Sequence, residues 1–199
     1  MISTSSGSYT APADYIANIF AWGGGASGTS DATYTHGGGG GSAGYSQLII
    51  PAGIAITWLA AAPRMGTTAE TSGNVGFDSI VTIDGVIMTA QGGRMPSTSP
   101  ATRSMAAGFQ VNRYGGGSGE AGEFGGAAGN GSALRGGGGA GGFRDIFLGL
   151  TGENGRGSTS SNGAQIVPGV GAGGGANTSG SNWSTWGGPG LVLIQLYRI

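Results

Sequence analysis

Glycine supplies 48 of the 199 residues, and it is gathered into runs at 23–25, 37–41, 115–117, 136–139 and 173–175. Glycine loses more conformational freedom on folding than any other residue. A chain built this way either stays disordered or needs backbones packed too closely for any Cβ. Short apolar, β-branched segments lie between the runs, at 45–50, 79–90 and 191–199. Leu, Ile, Val and Phe together number only 35, a level that warns of disorder, but disorder also calls for high net charge, and here it is −1. Strand-length apolar packets favour an ordered structural or binding protein over an enzyme.

Charged residues make up 9 % of the chain, against about 25 % in an average domain. Lysine is absent, and the first of the eight arginines is Arg64. No basic stripe exists for nucleic acid or anionic lipid, so neither is an expected partner. Cysteine is absent too, which removes disulfides and thiolate chemistry. No apolar stretch approaches the roughly 20 residues needed to span a bilayer, so no membrane insertion is expected. The N-terminal region has neither Lys nor Arg nor an apolar signal core, so no secretion signal is expected. A charge-poor, exterior-looking chain without such a signal fits a virion component assembled in the host cytoplasm and released by lysis.

Residues 15–22 alternate, with Ile16, Asn18, Phe20 and Trp22 on one side and Tyr15, Ala17, Ile19 and Ala21 on the other, a strand signal. Pro12 sets its start. Segments 45–50 and 54–59 flank a turn at Pro51-Ala52-Gly53. Asp84-Gly85 between 79–83 and 86–90 reads as a two-residue hairpin loop. Residues 191–199, apolar on both faces, predict a central buried strand. Helix signals are poor, the best being 143–150.

Within 115–142, Gly116, Gly119, Gly122 and Gly125 fall every third residue, and Ala128 and Gly131 continue the phase. That period matches the extended polyproline-II helix, with about three residues per turn and no internal hydrogen bonds. Such helices, when buried, must bond to their neighbours, and glycine faces let them approach. The expected fold is one all-β domain over 1–199: small sandwich-like strands, a bundle of polyglycine-II helices, and almost no α-helix. The alternative for the runs is a set of flexible Gly/Ser linkers.

The ordered cues are Trp-Gly-Gly-Gly at 22–25, Gly-Gly-Gly-Gly-Ser-Ala-Gly-Tyr-Ser at 38–46, the Asp-Gly hairpin ending in Thr-Ala-Gln-Gly-Gly at 89–93, and Gly-Gly-Pro-Gly-Leu-Val-Leu-Ile at 187–194. In this order they resemble the glycine-rich domains of bacteriophage tail-fibre and receptor-binding proteins. They are similar in style to the polyglycine-II tip adhesins of T-even-type phages. The resemblance implies a module on the virion surface whose loops touch the host envelope. Its partners would be other virion proteins (fibre, tail or capsid) and a host-surface glycan or outer-membrane protein, with homo-oligomers possible. One departure is that a tip adhesin carries a separate docking segment, whereas here docking would fall to residues 1–12 or to a face of the domain. That leaves a capsid decoration or cement protein as an alternative. An ice-binding polyglycine-II protein is a third reading, which the missing cysteine argues against.

Other motifs carry little. Segments 117–122 and 169–174 match GxGxxG, as glycine tracts do by chance, and a Walker loop requires lysine. His36 is the sole histidine, too few for a dyad or a histidine metal site, and no catalytic residue, metal or cofactor is expected. Glu120 and Glu123, three apart, read as the solvated edge of an outer rod. The asparagine sequons at 130, 177 and 182 carry no weight in so Asn- and Ser-rich a chain. Aromatic and arginine side chains outside the expected strands are the candidate receptor-binding residues: Tyr34, His36, Arg103, Arg113, Tyr114, Trp183 and Trp186, since Trp, Tyr and Arg dominate contact energies. For Trp183 and Trp186 the competing role is to cap the apolar end of the bundle.

Overall fold

The computed structural model describes residues 2–3, 5–30, 36–67, 72–96, 99–118, 120–123, 126, 138–141, 169–174, 184 and 186–199. Among these residues ten strands form one sheet: β1 (Ile2–Ser3), β2 (Gly7–Thr10), β3 (Tyr15–Trp22), β4 (Ala43–Ile50), β5 (Ala55–Leu59), β6 (Ser79–Ile83), β7 (Val86–Ala90), β8 (Ser104–Ala107), β9 (Val111–Gly115) and β10 (Leu191–Arg198). Every pairing is antiparallel, in the order β1-β10-β3-β4-β9-β8-β7-β6-β5-β2. No helix occurs among the described residues. The tract 143–150, the best helix candidate in the sequence, lies outside them.

The sheet curls so that β3 and β4 face β6 and β7. Inside the curl Ala17, Ile19 and Ala21 of β3 meet Ile56, Val81, Ile83, Met88 and Ala90, with Val192 and Ile194 of β10. The other face of β3 is also covered: Phe20 and Trp22 pack with Ala43 and Leu193, and the Trp22 Nε1–H donates to the Gly141 carbonyl at 3.0 Å. Both edges of the sheet belong to one piece of chain, β1 at one side and β2 at the other, with only residues 4–6 between. Four Cα steps span at most about 14 Å, so the curl must bring the two edges close together.

The Asp84-Gly85 hairpin forms as expected, with Ile83 opposite Val86 and both loop residues at positive φ, 46° and 77°, as a type I′ turn requires. The expected strands at 15–22, 45–50, 54–59 and 79–90 are present within a residue or two. The Pro51–Gly53 turn is a corner, since β4 and β5 are not partners; the chain there crosses to the other half of the sheet. For β10 the expectation holds in part. Its residues 192–194 are buried, but its outer neighbour is only the two-residue β1, and Tyr197 and Ile199 are exposed.

One end of the sheet carries the tight turns, at Gly53, Gly85 and Gly108. At the opposite end the chain runs on from β3, β5, β7 and β9 into segments 23–30, 60–67, 91–96 and 116–118. It returns through 36–42, 72–78, 99–103 and 186–190 into β4, β6, β8 and β10. The register makes these ends coincide: Trp22 lies opposite both Ala43 and Leu191, Leu59 opposite Ile80, and Ala90 opposite Ser79. The described parts of the glycine runs are thus gathered into one body beyond the sheet.

Candidate functional site

Hydrogen bonding in the glycine body follows a period of three. Along 23–27, the N–H groups of Gly23 and Ala26 donate to Ser42 and Gly39, those of Gly24 and Ser27 to Phe77 and Asn74, and that of Gly25 to Gly188. Along 38–42, Gly38 and Gly41 donate to Gly174 and Gly171, Gly39 and Ser42 to Arg94 and Gln91, and Gly40 to Gly116. Carbonyls repeat the rule, since Gly38 and Gly41 accept from Gly138 and Gly141. In a β-strand successive partners would alternate between two sides. Here they rotate among three.

At individual glycines the spacing between neighbouring segments leaves no room for a side chain. A Cβ on Gly25 would fall on the Ala172 carbonyl, on Gly40 on that of Gly139, on Gly93 on that of Gly39, and on Gly187 on that of Gly25. Each obstacle is backbone, which cannot rotate aside.

On the flank of this body, three of the seven candidate residues come together. The Arg103 guanidinium lies over the Tyr114 ring, 4.5 Å from its centroid, and its Nε–H donates to Glu120 Oε2 at 2.9 Å. Arg113 pairs with Glu123 at 2.9 Å. The Arg103–Glu120 pair is the more open, with side chains 56 % and 48 % exposed, against 27 % and 24 % for the second. Hydrogen bonding from Arg103 holds the Glu120 carboxyl below the usual carboxylate range, and the same bond raises the proton affinity of Arg103. The carboxylates at 120 and 123 are therefore partners of the two arginines as well as features of a surface edge.

Arg113 and Tyr114 do not stand in a loop: they belong to β9, and Arg103 immediately precedes β8. This hairpin escaped the sequence reading because Ser104–Ala107 carries no β-branched residue, and because its closure depends on Gly108, at φ 80°, and on Phe109, which is buried. The Phe109 ring covers Gly44, where a Cβ would strike it.

His36 sits at the end of a glycine segment, where its N–H donates to Thr29 Oγ1 at 3.0 Å. Its neighbour Gly37 accepts a hydrogen bond from the Ser118 hydroxyl, which links the His36 segment to the one bearing Glu120. Trp186 lies elsewhere, next to Gly187, which exchanges two backbone hydrogen bonds with Arg64. Its Nε1 is buried with no hydrogen-bond partner among the described residues. Tyr34 and Trp183 lie outside the described residues. Among those described, no three His, Asp or Glu side chains converge as a metal site would require. The chain matches no protein-family model and no curated protein.

Proposed function

We propose that the protein is a non-enzymatic structural component of a bacteriophage particle's surface, a tail-fibre or tail-tip adhesin contributing to host attachment, with a polyglycine-II bundle as its stiff body. The observation that carries the bundle is the rotation of hydrogen-bond partners with period three along 23–27 and 38–42. An extended helix of three residues per turn aims successive amides about 120° apart and bonds none of them internally. Three neighbours must then receive them in turn. None of the glycines in these runs has positive φ, in keeping with the polyproline-II region. The curled sheet serves as a small sandwich-like base from which the bundle extends.

Backbone groups consumed between rods are unavailable to a receptor, so recognition falls to side chains on the surface of the body. Arg103 and Tyr114 are the foremost, with His36, Arg113 and Trp186; Tyr34 and Trp183 complete the set by their place in the sequence, near glycine tracts. The partners in this reading are other virion proteins and a host-surface glycan or outer-membrane protein. A second reading, a capsid decoration or cement protein, is favoured by one observation: Arg103 and Arg113 already have carboxylate partners within the chain.

The test uses particles carrying Arg103→Ala or Tyr114→Ala. With incorporation normal, adsorption to host cells should fall by about thirtyfold if either is a central anchor, the loss expected for about 2 kcal/mol. Unchanged adsorption for both would transfer the assignment to the decoration reading.

A further inference from the structure

The outer face of β5 and β6 leads, beyond the sheet, into a groove of about 580 Å³. Leu59 and Ile80, opposite one another across the two strands, line it with Ala61, Val75 and Phe77. Leu59, Val75 and Phe77 are all substantially exposed. A second depression of about 200 Å³, between Thr57, Trp58 and Thr82, shares Leu59 and Ile80 with the first. Together they make one open groove, whose larger part has the size of a small-molecule site.

One arginine lines it, and a second is stacked on one of its lining residues. Arg94 lines the groove, and Arg64 lies over the Phe77 ring, 4.5 Å from its centroid. Unlike Arg103 and Arg113, neither makes an ion pair among the described residues. Arg64 Nε is buried without a hydrogen-bond partner there, and Arg94 donates only to the neutral Gln91 Oε1, at 3.0 Å. Asp78 is the sole carboxylate among the described lining residues, and its Oδ1 accepts the Gly92 N–H at 2.8 Å. In a chain so poor in charge, a groove with two guanidinium groups, Arg94 in its lining and Arg64 against Phe77, facing the single Asp78 carboxylate carries a net positive charge. An apolar body gains by covering Leu59, Ile80 and Phe77, and the planar guanidinium fork matches a carboxylate.

We infer that this groove binds an amphipathic anion, a straight-chain aliphatic carboxylate. Its chain lies along Leu59 and Ile80, and its head group is held by Arg94 with Arg64 beside it. The inference is independent of any role in host attachment.

Titration calorimetry of the full chain with decanoate tests it, using decyltrimethylammonium and acetate as controls. The expected result is saturable one-to-one binding of decanoate, with both controls at least about tenfold weaker, since a hydrogen bond to a charged group is worth that much or more. Arg94→Gln should weaken decanoate by a similar factor, and Leu59→Glu should abolish binding. Both positions are exposed, and circular dichroism checks that the variants keep the parent fold. Absence of saturable decanoate binding, equal binding of the cation, equal binding of acetate, or an Arg94→Gln variant with unchanged affinity would each overturn the assignment.

Discussion

The Gly40 amide donates to the Gly116 carbonyl at 2.8 Å, and this bond exists only because Gly40 has no side chain. A Cβ there would fall on the carbonyl of Gly139, in a third segment. Close approach and hydrogen bonding are therefore one requirement.

Replacing Gly40 by Val should separate three segments and leave buried amides unbonded. Overpacking costs about 1–3 kcal/mol, and each stranded polar group adds about 1–3 kcal/mol. At about 2–4 °C per kcal/mol for a chain of this size, the melting temperature should fall by roughly 5 °C or more. Gly53, with nothing near its Cβ position, is the control: Gly53→Asn, which tolerates positive φ, should change it little. Equal effects at both sites would contradict the packing argument.

The Trp22 indole ties the sheet to the glycine body through Gly141. Trp22→Phe keeps an aromatic ring near Phe20, whose own ring lies 6.3 Å from that of Trp22, but orphans a buried carbonyl. Chemical denaturation should report a loss of about 1–3 kcal/mol. A neutral result would show that the two parts are not coupled through this bond.

Glu120 gives the protein a pH signature. Its folded pKa is depressed by Arg103, so its contribution is fully present above the unfolded value of about 4.3 and is lost as pH falls through the folded value. Both side chains are about half exposed, and solvent screening keeps the effect small. Melting curves of wild type and Glu120→Gln should therefore differ slightly at neutral pH and converge in acid. A gap that widened in acid would contradict the assigned sign.

Removing residues 2–10 would strip β1 and β2, exposing β10 and β5 as new edges with unpaired backbone groups. Open edges recruit other chains, so size-exclusion chromatography should show the truncated protein associating or aggregating. A monomeric, equally stable product would mean that these residues are free to dock elsewhere, as the sequence allowed.

How much was legible in the sequence depended on the range over which each feature is determined. Asp84-Gly85 specifies its turn locally, because two successive positive φ values admit few residue pairs. The alternation in 15–22 likewise marks β3 without reference to its partners. The β8–β9 hairpin was hidden because the surface that its loop residue Phe109 packs on, Gly44 of β4, is remote in sequence. Glu120 and Glu123 were noticeable by their spacing, yet their partners Arg103 and Arg113 are brought to them only by that hairpin. The three-residue phase read in 116–131 falls partly outside the described residues, while period-three bonding occurs in 23–27 and 38–42. Unbroken glycine leaves little sequence phase to read there. The groove between Leu59 and Phe77 joins segments remote in sequence and left no local signal beyond two of the eight arginines.

The central claim is that the glycine runs are laterally bonded rods and not linkers, and amide hydrogen exchange resolved by residue tests it most directly. Consecutive amides at 23–27 and 38–42 should all be strongly protected, comparably to those of β3 and β4, because every one has a carbonyl partner. Exchange near unfolded-chain rates would contradict the account, and so would protection alternating residue by residue as in an edge strand.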